Sequence, residues 1–307
     1  MEKCLFIYNP LSGKGKVAKN ESRIVKMLES RFIVDVHRSK YSGNIGEVIS
    51  EKGDGYDIIV ISGGDGTLNE AINSIARLEK RVKIGYIPAG TVNDVAHSLG
   101  IPRNIKKAVQ NILDGQEFKH DIFRMNDRFG IYVCCSGLFT ETSYATDQNQ
   151  KKKIGKVAYA LYGAKKIFTT PAVKLKLNYD GGEIEGKYAL MLILNSKSVA
   201  GFKVNRHAEL NDGLVDVVLI KTNKDKVNFP AVCRVAKFFL KGVEHKYNKN
   251  IQHLQLDKFR IETQSDTIIN LDGEKIGKGS FDFEVIKEGV TIIVPNLKKL
   301  TKKVENI

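Results

Sequence analysis

Apolar residues along the first 115 positions follow two rhythms in turn. Residues 4–9, 32–38 and 82–87 are apolar stretches of strand length, and residues 57–62 form an unbroken apolar run, the pattern of a strand buried on both faces. Between them the spacing changes. Val17, Ile24 and Leu28 recur at seven and four positions, and Leu68, Ala71, Ile72, Ile75 and Ala76 step at i, +3, +4, +7 and +8. Ile105, Ala108, Val109, Ile112 and Leu113 repeat that stepping, with Gly115 as the stop. Such spacings place one apolar stripe along a helix. Strands alternating with helices predict a parallel, doubly wound sheet.

From about residue 120 the period falls to two. Val173, Leu175, Leu177 and Tyr179 alternate with Lys174, Lys176 and Asn178, Asp180-Gly181-Gly182 reads as a turn, and a second strand runs to Asn195. This is a hairpin pattern. Residues 214–220, 254–262, 267–271, 281–286 and 290–294 predict further strands, interrupted by helical stretches near 155–168 and 229–243. The expected class is therefore α/β. An N-terminal doubly wound α/β domain, residues 1–122, leads into a mostly antiparallel β-sandwich domain, residues 123–307, whose C-terminal segment packs back on the first. A chain of 307 residues suits two domains.

Composition narrows the class without naming a function. Hydrophobic residues make up 42% and charged residues 27%, which excludes disordered, collagenous and repeat-array chains. No apolar run approaches the ~20 residues of a membrane span, and the first residues lack a signal-peptide pattern. Cys4, Cys134, Cys135 and Cys233 make no C-x-x-C, and the histidines do not fall into zinc spacing. These features point to reduced thiols and a cytoplasmic protein. Charge is the odd feature: 49 Lys+Arg against 35 Asp+Glu give +14. That favours an anionic partner, whether nucleic acid, acidic membrane or phosphate-rich ligand, unless it serves solubility alone.

Three glycine-rich loops follow the predicted parallel strands, at the ends where open α/β sheets bind ligands. The first is Asn9-Pro10-Leu11-Ser12-Gly13-Lys14-Gly15-Lys16. Its glycines admit close backbone approach and Lys14 or Lys16 adds charge, though a plain strand-to-helix turn reads as well. The second is Gly63-Gly64-Asp65-Gly66-Thr67, continued by Leu68-Asn69-Glu70. Three glycines clear space for phosphate, and Asp65 then needs a Mg²⁺ mediator or a hydroxyl to activate; otherwise it caps the helix. The third is Pro88-Ala89-Gly90-Thr91-Val92-Asn93-Asp94, open to capping and binding readings alike. Together the three argue for a nucleotide-phosphate site. No Walker A sequence is present; Gly181-x4-Gly186-Lys187 ends in Tyr188 and lies in the hairpin. Far downstream, Leu271-Asp272-Gly273-Glu274 is either a hairpin turn or a carboxylate pair facing Asp65 across a cleft, placed to take a proton from a hydroxyl.

These four elements, in this order and spanning nearly the whole chain, resemble the diacylglycerol kinase catalytic-domain family in its bacterial soluble lipid kinase branch, related to sphingosine and ceramide kinases. The Asn-Pro-x-Ser-Gly opening and the Gly-Thr-x-Asn-Asp loop favour that family over NAD kinases and phosphofructokinases, which carry related Gly-Gly-Asp-Gly-Thr loops. The resemblance implies an active site between the two domains and an ATP-dependent lipid kinase, with diacylglycerol as acceptor and phosphatidic acid as product. It implies ATP contacts at Asn9, Pro10, Ser12, Gly13, Ser39, Gly63, Gly64, Asp65, Gly66, Thr67, Leu68 and Thr91, with Lys14, Glu70, Asn93 and Asp94 completing that site. It implies Glu274 as proton acceptor, with Asp65, Asp94, Asp121 and Asp272 in a Mg²⁺- and water-linked network. A structural Mg²⁺ site is implied at the turn 209–214, through the Asp212 carboxylate and the carbonyls of Glu209 and Leu214. Asn211 stands there where the family often has an acid.

A lipid kinase must meet a membrane. Lys151, Lys152, Lys153, Lys156, Lys165 and Lys166 flank apolar residues, and 226–249 is also basic and amphipathic with Phe238, Phe239 and Leu240. Both suit peripheral docking on anionic lipid, or a solvated face of a packed helix. A homodimer stays open. The competing readings are a NAD kinase-like enzyme acting on a soluble substrate, and a basic module that binds membrane or nucleic acid without catalysis. No RNP or helix-turn-helix signature supports nucleic acid.

Overall fold

The computed structural model describes residues 1–138, 170–243, 249–264, 267–277 and 279–297. The helical stretch at 155–168 and the lysine block at 151–166 lie outside them.

The first domain runs β1 (Glu2–Tyr8), α1 (Lys16–Lys19), α2 (Glu21–Leu28), β2 (Phe32–Arg38), α3 (Asn44–Lys52), β3 (Ile58–Gly63), α4 (Asp65–Ile75), β4 (Lys83–Pro88), α5 (Asp94–Leu99) and α6 (Ile105–Asp114). The strands are parallel in the order β2–β1–β3–β4, with Cys4 beside Ile58 and Ile58 beside Lys83. Alternation along each strand feeds two cores. Leu5, Ile7, Ile59 and Ile61 pack under α3, α4 and α5, while Cys4, Phe6, Ile58 and Val60 pack under α2 and α6. This is the doubly wound arrangement, and it sets every βα loop along one sheet end.

The second domain adds β5 (Gln116–Met125), β6 (Arg128–Gly130), β7 (Val133–Gly137), β8 (Val173–Tyr179), β9 (Gly182–Leu194), β10 (Val215–Lys221), α7 (Phe229–Lys241), β11 (Ile251–Leu256), β12 (Lys258–Thr263), β13 (Ile269–Leu271), β14 (Glu274–Gly277) and β15 (Ser280–Val294). Within this domain the pairings are antiparallel. The long β9 pairs with β8 through its first half and with β7 and β10 through its second, so it serves both layers. One core holds the stacked rings of Phe123, Phe259 and Phe283; the other lies under α7, around Val218, Val235 and Phe238.

Two expected strand boundaries change. The stretch 254–262 is two strands, β11 and β12, separated at Asp257, whose carbonyl accepts the Val285 N–H at 2.7 Å. Conversely, 281–286 and 290–294 are one strand. β15 shifts register opposite Asp121, whose Oδ1 accepts the Glu288 N–H at 2.6 Å and so satisfies the bulged backbone. Beyond the bulge, Thr291 and Ile292 pair in parallel with Lys83 and Ile84 of β4. A single strand thus belongs to both domains and fixes them against each other.

Candidate active site

The three glycine loops converge at the ends of β1, β3 and β4. In the first, Gly13, Lys14 and Gly15 have φ of 59°, 59° and 72°, and a Cβ on Gly13 would stand 2.9 Å from the Ala89 carbonyl oxygen. The Asn9 side chain shapes the entry by accepting the Leu11 N–H at 2.9 Å. The second and third loops approach most closely at glycines: a Cβ on Gly90 would lie 2.5 Å from Gly64 Cα and 2.7 Å from Asn93 Oδ1. Asn93, left-handed at φ 56°, clasps Gly90 by accepting its N–H and donating to its carbonyl, both at 2.8 Å. The result is a cleft of about 670 Å³ walled by Ser12, Gly13, Lys14, Gly64, Gly66 and Thr67. A Cβ on Gly66 would meet nothing within 4 Å. Backbone N–H groups, the N-terminus of α4 and nearby cations make this an anion cradle.

A second cavity, about 950 Å³, lies between the domains and shares Gly66 and Thr91 with the cradle. One part of it is apolar, formed by Leu138, Leu190, Leu192, Val199, Phe202 and Phe239. The other part carries Asp65, Asp94, Asp272 and Glu274. Four described residues with positive φ other than glycine, Lys14, Asn93, Ala200 and Asp272, line or border these two spaces. A left-handed residue with a Cβ costs roughly 1–2 kcal/mol, so the strain is concentrated where ligands would sit.

The four acids differ sharply in what holds them. Asp65 accepts the N–H of Asn93 at 2.8 Å and of Val95 at 3.4 Å, so it braces the start of α5. Burial pushes its carboxyl above the ordinary range, with Asp94 adding repulsion. Asp94 is buried and accepts from the Tyr132 hydroxyl at 3.0 Å, the Ser198 hydroxyl at 3.1 Å and the Gly201 N–H at 2.9 Å. It ties the first domain to two segments of the second. Asp272 accepts three consecutive backbone N–H groups, from Ile131 at 2.7 Å, Tyr132 at 3.1 Å and Val133 at 2.8 Å. Burial pushes its carboxyl up to about 7, against the pull of those three donors. Glu274 is the most open of the four: its side chain is 51% exposed and, among the described residues, its ion pair is with Arg128 at 3.5 Å. It lines the cavity and is the least constrained of its four acids.

Some expected ATP contacts lie off the cradle. The Leu68 side chain is core, Glu70 accepts the Gly46 N–H at 3.0 Å and joins α4 to α3, and Ser39 donates its backbone N–H to Tyr8 without lining the cleft. Asp121 is also apart from the other acids. Its Oδ2 accepts the Gly213 N–H at 2.7 Å, which sets it against the turn 209–214, where Asp212 Oδ1 accepts the Leu214 N–H at 3.0 Å. So the expected four-acid network divides in two: Asp65, Asp94 and Asp272 at the cleft, Asp121 with Asp212 at the turn. Burial raises both carboxyls of the second pair, with Asp212 adding to the rise at Asp121 and Glu209 to that at Asp212. Among the described residues there is no group of three or more His, Cys, Asp or Glu arranged to hold a metal ion.

Two site residues were not foreseen. Tyr132 reaches Asp94 from the other domain, 38 positions away, with no local pattern to announce it. Arg103 lines the cradle and donates from Nη2 to the Thr91 carbonyl at 2.7 Å; it lies in none of the three glycine loops.

An anion cradle opening directly onto an apolar cavity, with carboxylates at the junction, defines a phosphotransferase whose acceptor carries long apolar chains. The comparisons with known proteins agree. Residues 3–125 match the diacylglycerol kinase catalytic domain, and residues 133–294 match the YegS C-terminal NAD kinase beta sandwich-like domain. The chain is 30% identical over 302 residues to the diacylglycerol kinase of Bacillus subtilis, covering 97% of this chain and 98% of that one. It is 31% identical over 293 residues to a diacylglycerol kinase of Staphylococcus aureus, covering 94% and 91%. The crystal structure of a diacylglycerol kinase from Bacillus anthracis superposes with a TM-score of 0.78 at 27% identity, over 95% of this chain and 97% of that one. The chain belongs to the diacylglycerol kinase family, whose members are ATP-dependent lipid kinases.

Proposed function

We propose that this enzyme transfers the γ-phosphate of ATP to the free hydroxyl of diacylglycerol, giving phosphatidic acid and ADP. The sharing of Gly66 and Thr91 by the cradle and the apolar cavity carries this reading. It lets a phosphate chain end where a lipid headgroup begins. The names of its relatives supply the diacylglycerol.

ATP bound on the cradle supplies the phosphoryl group. Backbone N–H groups around Gly13, Gly64 and Gly66, with Lys14 and Arg103, hold the phosphates. Glu274 accepts the hydroxyl proton as that oxygen bonds to the γ-phosphorus and the bond to the β-phosphate oxygen breaks. Asp272 positions the Glu274 turn by fixing it to residues 131–133. Asp65 and Asp94 position the cleft walls, since their oxygens are engaged by backbone and hydroxyl donors. Most of the rate comes from positioning and charge stabilisation. Mg²⁺ would be held near Asp65 and, at the turn 209–214, by the Asp212 carboxylate with the carbonyls of Glu209 and Leu214, and it would neutralise phosphate charge. These are hard oxygen donors that a divalent cation suits. The enzyme works at a membrane surface; no helix among the described residues is long and apolar enough to cross one.

A panel offering labelled ATP with diacylglycerol, sphingosine, phosphatidylglycerol or NAD tests this, with and without Mg²⁺. The expected result is phosphatidic acid as the dominant product. A product from NAD alone overturns the reading in favour of a soluble acceptor.

A further inference from the structure

Helix α7 is amphipathic twice. Its buried stripe is Ala231, Val235 and Phe238, which pack on β9 and β10. Offset from it runs a second apolar stripe, Phe229, Cys233, Ala236 and Leu240, at spacings of four, three and four, and all four residues are exposed. Phe229 is 67% exposed and Leu240 76%. In a water-facing helix that face should be polar.

The stripe ends at the mouth of the apolar cavity, which Ala236 and Leu240 line. Two more exposed apolar residues stand at that mouth: Val92 of the third glycine loop, 43% exposed, and Phe202 of the turn 199–202, 50% exposed. Phe202 meets Phe239 edge-on at 5.5 Å, which ties the turn to the helix. The surroundings are basic. Lys203, Lys237 and Lys241 are exposed beside these residues, and the sequence has no acid from 226 to 243.

We infer that the outer stripe of α7, with Phe202 and Val92, is the surface by which this chain docks on an anionic bilayer. The apolar side chains enter the headgroup boundary, and the lysines meet anionic headgroups. The cavity mouth then faces acyl chains directly, and a lipid passes from the bilayer into the cavity without crossing water. This rests on the lipid kinase reading of the same cavity and names the face that meets the membrane.

The test is sedimentation of the full chain with vesicles of phosphatidylcholine alone or with phosphatidylglycerol added, without ATP. The wild type is expected to bind only the anionic vesicles, and binding should weaken with salt. Phe229→Ser with Lys237→Glu, neither of which lines the cavity, should reduce binding at least tenfold. Turnover of a short-chain, water-dispersed diacylglycerol should stay unchanged in that variant, while turnover of diacylglycerol in anionic vesicles falls. Lys203→Glu, on a different segment, should reduce binding about fivefold by itself. Vesicle binding that both variants retain overturns the proposal. So does an equal loss of turnover on both substrates, which would mark a fold defect. So does a change of oligomeric state with vesicle binding intact, which would assign the stripe to a second copy of the chain. A wild type that binds vesicles but phosphorylates no lipid defeats the substrate reading and leaves the docking surface standing.

Discussion

The two cavities that meet at Gly66 and Thr91 are built on opposite plans. The cradle is built around backbone: glycines in close approach, on loops contributed within the first 105 residues. The apolar cavity is side chain: leucines, valines and phenylalanines brought from the third glycine loop, β7, β9, the turn 199–202 and α7. Where backbone meets backbone, as at Gly13 and Gly90, the wall admits no Cβ, so it discriminates by position and fails abruptly. Walls of packed side chains are graded, and they discriminate by volume and length. A kinase needs the first for a phosphate that must be aligned, and the second for a tail that needs only to be buried.

Glu274→Gln should break the junction itself. It keeps the shape and removes the proton acceptor, so kcat should fall about 10²–10⁴-fold with both KM values nearly unchanged. A variant with wild-type turnover would remove Glu274 from the chemistry.

The strut beside it gives the next effect. Burial pushes the Asp272 carboxyl up to about 7 in the folded chain, from an ordinary 3.8. The folded chain keeps that proton to higher pH than the unfolded one. Its contribution to stability is present below about pH 4 and is lost as pH rises to about 7. A rise from 3.8 to about 7 corresponds to on the order of 4 kcal/mol. Denaturant unfolding at pH 4.5 and 7.5 should show Asp272→Asn lacking most of that fall; identical slopes in both proteins would contradict it.

The two plans can then be set against each other. Gly90→Ala drives a Cβ into Gly64 and Asn93 and should weaken ATP use by about 1–3 kcal/mol, measured as a higher KM for ATP, with lipid KM unchanged. Ala236→Trp adds bulk to the graded wall and should raise KM for long-chain diacylglycerol about tenfold, roughly 1.4 kcal/mol, with KM for ATP unchanged. Steady-state kinetics with each substrate varied in turn checks both. If either substitution moves both constants alike, the two walls are not independent.

The backbone half was the legible half. Its glycines, Asn93 and Asp94 lie in short motifs, because a tight turn after a strand imposes residue types on its neighbours. Periodicity also showed the four parallel strands and most of the helices. It missed α3, and also α5, a six-residue helix whose Asn93 cap and Gly100 stop are both left-handed, leaving too few turns for a stripe to repeat. It divided β15 because Glu288 and Gly289 interrupt the apolar pattern, whereas the interruption is a bulge held by Asp121. The side-chain half was mostly silent. Leu190 and Leu192 read only as part of a hairpin strand, and the convergence of distant elements turns them, with Val199, into a cavity wall. The acids stood out by residue type, but their separate roles did not. Nothing in the identity of a carboxylate tells Glu274, half exposed beside Arg128, from Asp94, held by Tyr132, Ser198 and Gly201.

The strand β15 bears on synthesis as well as on architecture. The first domain has an open edge at β4 until Thr291 and Ile292 pair with it. On the ribosome, almost the whole chain must emerge before that edge is covered. The nucleotide loops are complete after about a hundred residues, yet the wall opposite them is anchored by the last strand described. Partial chains released early therefore carry a phosphate-binding half without a working cleft, and an unpaired β4 edge marks them for aggregation or degradation.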